Sequence, residues 1–448
     1  MSIQNVKSKQ EFFLLKVLIC LVPLFFCCVV YFTENVDYGG IFETGKYTSV
    51  ALHWMDEYTK NEFTPTRLPG YPTLIYLVFK VFGPNNLTAL LFVQALIGCI
   101  TFYFLIKILE ELKVDNSILI LSTLAFNLAI IFRFSLFLPN FFFMFILTIS
   151  IFFFTKFYFN QKFSYFFFFC LFFSSLNLIR PIIHFSIFLT YPLIIWYLFK
   201  LKEKFSYRFI CMVVLLAFYF LSIGTQLLRS YNYDKSFIYT SQSGVHFFWI
   251  ISCLSKKYGC GSRDLEVFNT LKERVKNEVD KIENPNLSQI NEIRIYIGKN
   301  YVLNEMEKGR LAFAALVSYV KLIFHSTFIE IFGAFKINSS PLYMSGENNF
   351  FSKVSNVASN IFTNKFVGLY VAAVLIIILL RLLQLYGFYL TLKSVPLKMY
   401  GLIITSIIFI ILATGVGLGN PRYRSEAEPL LIILSAIGIK SIIDKLRN

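Results

Sequence analysis

Apolar runs of membrane-spanning length recur from one end of this chain to the other. Phe12–Phe32, Phe209–Leu228, Val367–Leu392 and Leu402–Leu418 each approach the roughly 20 mostly apolar residues that a transmembrane helix needs. The first run is too long for the core of a signal peptide, and no small-residue cleavage site follows it. It therefore reads as a retained anchor. Two apolar segments are ambiguous: Leu68–Phe82, which carries Pro69, Gly70 and Pro72, and Ala312–Phe335, which carries Lys321, His325 and Glu330.

The basic residues decide between the arrangements. If both ambiguous segments lie along the outer surface, the inner turns carry Lys7 and Lys9, Lys107 and Lys113, Lys156 and Lys162, Lys200, Lys202, Lys204 and Arg208, Lys393 and Lys398, and Lys440, Lys445 and Arg447. The short outer turns then carry only Arg133, Arg180, Arg422 and Arg424. If both segments cross, the lysine-rich turns between them fall outside. The positive-inside rule selects the first arrangement, with roughly ten spans and both termini in the cytoplasm. The predicted fold is an all-α polytopic membrane protein. It forms one membrane domain over 1–448, with a first external loop at 33–86, a second external region at 229–364 and C-terminal helices at 365–448. Within the second region, Leu265, Phe268, Leu271, Val275, Val279 and Ile282 recur at helical spacing, predicting a helix packed on the membrane or on the other loop.

Composition agrees. The 448 residues are 56% hydrophobic and 15% charged, with a mean hydropathy of +0.64, too apolar for a soluble globular protein. The formal net charge of +16 is scattered between apolar runs, so it reads as topology and contact with anionic headgroups rather than nucleic-acid binding. Six cysteines lie in apolar helices. Cys253 and Cys260 share a polar region, where an oxidising compartment would permit a disulfide between them. The sequence has no CxxC pair and no His/Cys cluster at metal-ligand spacing. Its bias toward Lys, Asn, Ile and Phe suggests an AT-rich bacterial genome, hence a multi-pass protein of the bacterial plasma (inner) membrane and the cell envelope.

Three clusters carry chemistry, and all three fall on the outer side. The first external loop holds Glu34, Asp37, Glu43, Asp56, Glu57 and Glu62, then the string Arg67-Leu-Pro-Gly-Tyr71-Pro72. A carboxylate shielded from bulk water can take a proton from a hydroxyl. Solvation of an external loop is the bland alternative for any one of these acids. Asn177-Leu-Ile-Arg180-Pro181 places an arginine at a helix junction, where burial demands a partner unless the side chain snorkels to the headgroups. Gly419-Asn-Pro-Arg422-Tyr-Arg424, followed by Glu426 and Glu428, sets two guanidinium groups at a helix entrance. Such a pair suits bidentate phosphate binding or, more plainly, a headgroup anchor.

The order of these elements resembles the GT-C superfamily of integral-membrane glycosyltransferases, in the branch of protein O-mannosyltransferases and lipid A aminoarabinose transferases. The acid-x3-Tyr-x3-Ala spacing of that branch is similar to Glu43…Tyr47…Ala51, with Glu in place of Asp. Its R-x-P-G-Y-P-like string matches Arg67–Pro72, its Phe-Gly turn matches Phe82-Gly83, and its early Gln in the next span matches Gln94. Its Arg-Pro pair looks like Arg180-Pro181, and its late Arg-aromatic-Arg turn looks like Arg422–Arg424. The turn Phe137–Asn140 has Asn where relatives often carry Glu. The resemblance implies an inverting transferase that moves a sugar from a polyprenyl-phosphate carrier to a glycolipid, polysaccharide or protein acceptor outside the bilayer. It implies Glu43 as base with Asp37 as alternate, and Arg67, Tyr71, Arg180, Arg422, Arg424 and Tyr47 as substrate-binding residues. No cofactor or bound metal is required, although the loop carboxylates are the oxygen ligands that a divalent metal would use. A lipid-linked oligosaccharide flippase or transporter, or a polysaccharide polymerase, is the competing class. Transporters place ionisable residues at the midplane and show repeats, whereas these spans look nearly free of charge.

Overall fold

The computed structural model describes residues 3–32, 41–55, 67–114, 134, 136–240, 242–255, 264–304, 306, 308–324, 365–413 and 424–447, with some helix-end side chains left out. Among the described residues every regular element is helical. They are α1 (Ile3–Phe32), α2 (Ile41–His53), α3 (Gly70–Phe82), α4 (Leu87–Glu111), α5 (Pro139–Asn160) and α6 (Phe163–Ser175). A short 3₁₀ turn (Leu176–Leu178) and a 3₁₀ helix (Pro181–Phe188) follow. Then come α7 (Thr190–Lys200), α8 (Phe205–Asp234), α9 (Gln242–Leu254), α10 (Leu265–Val279), α11 (Leu287–Asn304), α12 (Lys308–Phe324), α13 (Lys365–Lys393), α14 (Lys398–Ala413) and α15 (Glu428–Arg447).

By length and apolarity, α4, α5, α8 and parts of α1 and α13 suffice to cross a bilayer, and the 3₁₀ helix and α7, bent by 47° where they join, reach that length only together. Against the roughly ten spans expected from charge sorting, the described residues hold five such helices, or six with the bent pair; α6 and α14 are apolar but shorter, and 115–133 lies outside the described residues. The chain is a multi-pass membrane protein. Its outer surface is accordingly apolar: Phe209, Val213, Phe220 and Leu221 of α8 and Leu375, Leu379 and Leu382 of α13 are exposed.

Local chemistry sets several helix ends. Asn86 Oδ1 accepts from the Ala89 amide to start α4, and Asp264 Oδ1 accepts from Val267 to start α10. Gln161 and Lys235 end α5 and α8 in the left-handed conformation, and Gly83 ends α3 at φ +97°. The amphipathic stretch predicted in the second external region is α10. It packs on α9 and α11 around Phe248, Ile251, Leu271, Val275 and Ile297, a small core separate from the main one. Asp234 Oδ2 accepts from the Leu287 amide at 2.8 Å, which ties the start of α11 to the end of α8. Cys253 is buried in α9, while its candidate partner Cys260 lies outside the described residues.

The bundle has two chemically distinct ends. At one, Lys16 pairs with Glu110 at 2.6 Å, Lys156 pairs with Glu111, and Lys440 donates to the Lys113 carbonyl at 2.6 Å. Tyr158 donates to the Pro396 carbonyl, Tyr207 to the Gln161 carbonyl and Arg208 to the Phe199 carbonyl, so the lysine-rich turns assemble together. At the other end lie the segments that carry the candidate chemistry.

Helices α13 and α15 cross at bare backbone. A Cβ on Gly387 would overlap the Leu434 carbonyl, and one on Gly438 would sit 2.5 Å from the Leu383 carbonyl oxygen. Gly387→Val is therefore expected to destabilise the detergent-solubilised protein by about 1–3 kcal/mol or more. Leu385→Val, an exposed position on the same helix, is expected to leave it unchanged. Thermal unfolding of both variants checks this, and equal melting temperatures would show that the helices do not meet there.

Candidate functional site

The three clusters that are far apart in sequence pack against one another. At Gly70, at the start of α3, an added Cβ would lie 2.6 Å from Ile179 Cγ1 and 2.8 Å from the Leu178 carbonyl oxygen. The Arg67–Pro72 string thus lies against the backbone that leads into Arg180, and only glycine permits that approach. Arg180 in turn reaches across the bundle to the last cluster. Its Nε and Nη2 both donate to Glu426 Oε1 at 2.6 Å, and Asn140 Nδ2 donates to the same oxygen at 2.6 Å. Asn140, at the start of α5, thus faces a glutamate from the far end of the chain.

A second carboxylate, two residues on, has its own pair of arginines. Glu428 Oε1 accepts from Arg424 Nε at 2.8 Å and from Arg381 Nη2 at 3.1 Å. Arg424 Nη1 also donates to the Leu322 and Ile323 carbonyls at 3.0 and 2.9 Å, and Arg381 Nε donates to the Ile323 carbonyl at 3.2 Å. Two guanidinium groups therefore close the C-terminal end of α12, where helix carbonyls lack intrahelical partners and the dipole favours cations. Glu426 is 1% exposed, and Arg424 and Glu428 are each 3% exposed. Ion pairs this deep survive because each carboxylate has a cationic partner, and losing one partner typically costs about 3–5 kcal/mol.

The first cluster adds an aromatic wall. Tyr47, on α2, lies edge-on to Tyr71 with ring centres 5.2 Å apart, and Tyr71 lies edge-on to Phe141 at 5.6 Å. The Arg67 guanidinium sits 4.9 Å from the Tyr47 ring centre and donates to its hydroxyl at 3.4 Å. Tyr71 is 1% exposed and donates to Gln94 Oε1, while Gln94 Nε2 donates to the Phe134 and Leu136 carbonyls. Arg229 of α8 donates to the Arg67 carbonyl at 2.8 Å. Arg180, Arg381 and Arg424 thus pair with the two glutamates, while Arg67 and Arg229 join the aromatic wall to α8.

The predicted residues divide on inspection. Arg67, Tyr47 and Tyr71 share one wall, and Arg180 lies beside it. Arg424, expected at headgroup depth as half of a phosphate clamp, instead points inward. Its donors are held by Glu428 and the end of α12, because a guanidinium this deep must be matched inside the protein. Tyr71 likewise faces the core rather than open space. Glu43 lies on α2 one turn before Tyr47, but its side chain is outside the described residues, as are Asp37 and Arg422.

Other members escaped the sequence reading. Arg381 and Gln384 interrupt an otherwise apolar span at i, i+3, and Arg381 Nη1 donates to Gln384 Oε1. These spans are thus not as free of charge as expected, and the lone arginine within 367–392 was the available signal. No group of three or more His, Cys, Asp or Glu side chains at metal-binding separation occurs among the described residues, and the loop carboxylates lie largely outside them.

No protein-family model and no curated protein matches the sequence. In fold, the chain is similar to the crystal structure of the Archaeoglobus fulgidus oligosaccharyltransferase in its apo form, at 13% identity and a TM-score of 0.50. The match covers 97% of this chain and 51% of that one, so this chain spans about half its length. At that identity the likeness speaks for the fold alone, an all-α, polytopic membrane fold.

Proposed function

We propose that this chain is a membrane glycosyltransferase that moves one sugar from a polyprenyl-phosphate carrier to an acceptor hydroxyl at the extracytoplasmic face of a bacterial plasma membrane. The observation that carries the reading is the convergence of the Tyr47–Arg67–Tyr71 wall, the Arg180 junction and the Arg424–Glu428 turn. They meet at the end of the bundle opposite its lysine-rich turns. In this reading Glu43, with Asp37 as alternate, takes the acceptor proton. The acceptor oxygen attacks the anomeric carbon and inverts it. The bond from that carbon to the phosphate oxygen breaks, and the polyprenyl phosphate leaves with the negative charge. Arg67, Arg180 and Arg422 meet that charge, since preformed donors in a dry site stabilise it most where it develops. Arg424, Tyr71 and Tyr47 position rather than react: Arg424 locks α15 to α12 and α13, and the tyrosines seat the Arg67 loop. The acceptor is a glycolipid, polysaccharide or protein.

Sidedness is tested by single cysteines in a background without the eight native ones. Asn277→Cys, exposed on α10, is expected to react with a membrane-impermeant thiol reagent on intact cells. Ser206→Cys, exposed beside the lysine-rich turns, is expected to react only after permeabilisation. The reverse pattern would turn the site toward the cytoplasm.

Glu43→Gln keeps the shape and removes the proton acceptor, so turnover of a labelled polyprenyl-phosphate sugar should fall about a hundredfold or more with donor binding retained. Normal turnover in Glu43→Gln with loss in Asp37→Asn moves the base to Asp37. Activity in both variants overturns the assignment to this loop.

Arg180→Lys and Arg422→Lys keep the charge but lose the planar fork. Each is expected to weaken donor use about ten- to a hundredfold, the equivalent of one charge-assisted hydrogen bond. Donor titration beside the exposed cytoplasmic-end control Lys202→Ala checks this, and unchanged donor kinetics would reduce both to anchors.

A further inference from the structure

The buried face of α8 changes character along its length. From the lysine-rich end it runs Cys211 and Leu215, then becomes Tyr219, Ser222, Gln226 and Ser230 as it nears the site. These four residues recur at i, i+3, i+7 and i+11, so they form one stripe about 16 Å long. All are inside the bundle, and Gln226 and Ser230 are 1% and 0% exposed. A helix that only had to pack would continue with apolar residues, because unsatisfied polar groups at this depth are costly.

The stripe faces Asn177. Asn177 Nδ2 donates to Ser222 Oγ at 3.1 Å, and Tyr239, on the connection after α8, donates to the Asn177 carbonyl. The rings of His184 and Tyr239 are 5.3 Å apart, and Tyr219 stacks on His184 at 5.9 Å with its hydroxyl 3.0 Å from Nδ1. Burial pushes the Tyr239 phenol well above its ordinary pKa, so it stays a neutral donor. Arg229, on the same helix, joins the stripe to the first cluster through the Arg67 carbonyl and takes Gln226 Oε1 as a second acceptor at 3.1 Å.

Three side-chain atoms along this wall have no protein partner: Asn177 Oδ1, Gln226 Nε2 and Ser230 Oγ, all fully buried. They are an acceptor, a donor and a hydroxyl that can do either. Elsewhere such atoms lie apart from this wall, as the hydroxyls of Ser150, Ser318 and Thr405 and the Gln384 amide do on α5, α12, α14 and α13. A hydroxyl-rich ring matches such a mixed set, since each of its hydroxyls both donates and accepts, and the adjacent aromatic rings offer its apolar face a surface. A bare phosphate accepts only and would leave Asn177 Oδ1 unmatched.

We propose that Asn177, Gln226 and Ser230, with the rings of Tyr219, His184 and Tyr239, form a subsite that binds the hydroxyl groups of a sugar ring and sets sugar specificity. The proposal rests on the glycosyl-transfer reading above and names the part of the site that distinguishes a sugar-bearing lipid from the lipid phosphate alone.

The test uses the full-length chain in nanodiscs. Binding is measured for undecaprenyl phosphate and for its glucose, mannose, galactose and arabinose conjugates. At least one conjugate should bind more tightly than the bare lipid. Ser230→Ala removes one orphaned hydroxyl, and Gln226→Glu keeps the oxygen that serves Arg229 while removing the orphaned amide. Each should cut the conjugate's margin about three- to tenfold, the scale of one neutral hydrogen bond. Affinity for the bare lipid should stay the same, and Ser230→Ala should not lower the melting temperature. Conjugates that bind no better than bare lipid, or variants that weaken both equally, would make the stripe a water-filled structural wall and leave the transferase reading intact. If no lipid phosphate binds at all, the donor assignment falls and this subsite falls with it.

Discussion

Two carboxylates buried at one end of an apolar bundle govern how this protein is put together. Glu426 and Glu428 are almost wholly out of solvent, and neither could stay ionised there without cationic partners. Arg180 and Asn140 close around the first, and Arg381 and Arg424 around the second. Those partners come from the junction after α6, the start of α5, the middle of α13 and the turn before α15. Satisfying two charges therefore fixes the relative positions of four segments. The same arginines reach the carbonyls that end α12, so α12 is tied to α13 and α15 through the same ions.

Apolar packing cannot supply that specificity in a membrane. Lipid tails compete for every hydrophobic face, so helices choose partners by close backbone approach and by buried polar pairing. Both appear here. Gly387 and Gly438 let α13 and α15 touch, and Gly70 lets the start of α3 rest on the Leu178 carbonyl. The glycine contact at α3 and the ion pair at Arg180 lie on either side of one short junction, Leu178–Pro181. That junction gathers the first and last clusters of the sequence at a single place.

The proposed function divides the labour among the arginines by depth. A guanidinium that serves structure must be saturated from within, as Arg424 is, whereas one that serves a ligand needs a position at the edge of the network. Arg67 lies over the Tyr47 ring, and Arg180 keeps 17% of its side chain exposed while holding Glu426. Charge excess alone does not tell these roles apart; depth does.

The class of protein and the clusters that converge were legible in the sequence itself. Apolar runs of spanning length and lysines sorted to alternate turns are local properties set by transfer free energy and by insertion, and neither needs a partner in space. The helical period of 265–282 and the caps at Asn86 and Asp264 are local in the same way. Tertiary structure decided which charges meet. Arg424 and Glu428 are one turn apart and could be paired on paper, but nothing nearby in sequence joins Arg180 to Glu426, 246 residues away, or Asn140 to the same oxygen, 286 residues away. The polar stripe of α8 shows the same limit: its spacing was there to be read, but only packing distinguishes a face turned to Asn177 from one turned to lipid. Pairing and burial depend on the positions of every helix at once, and these are fixed only when the bundle closes.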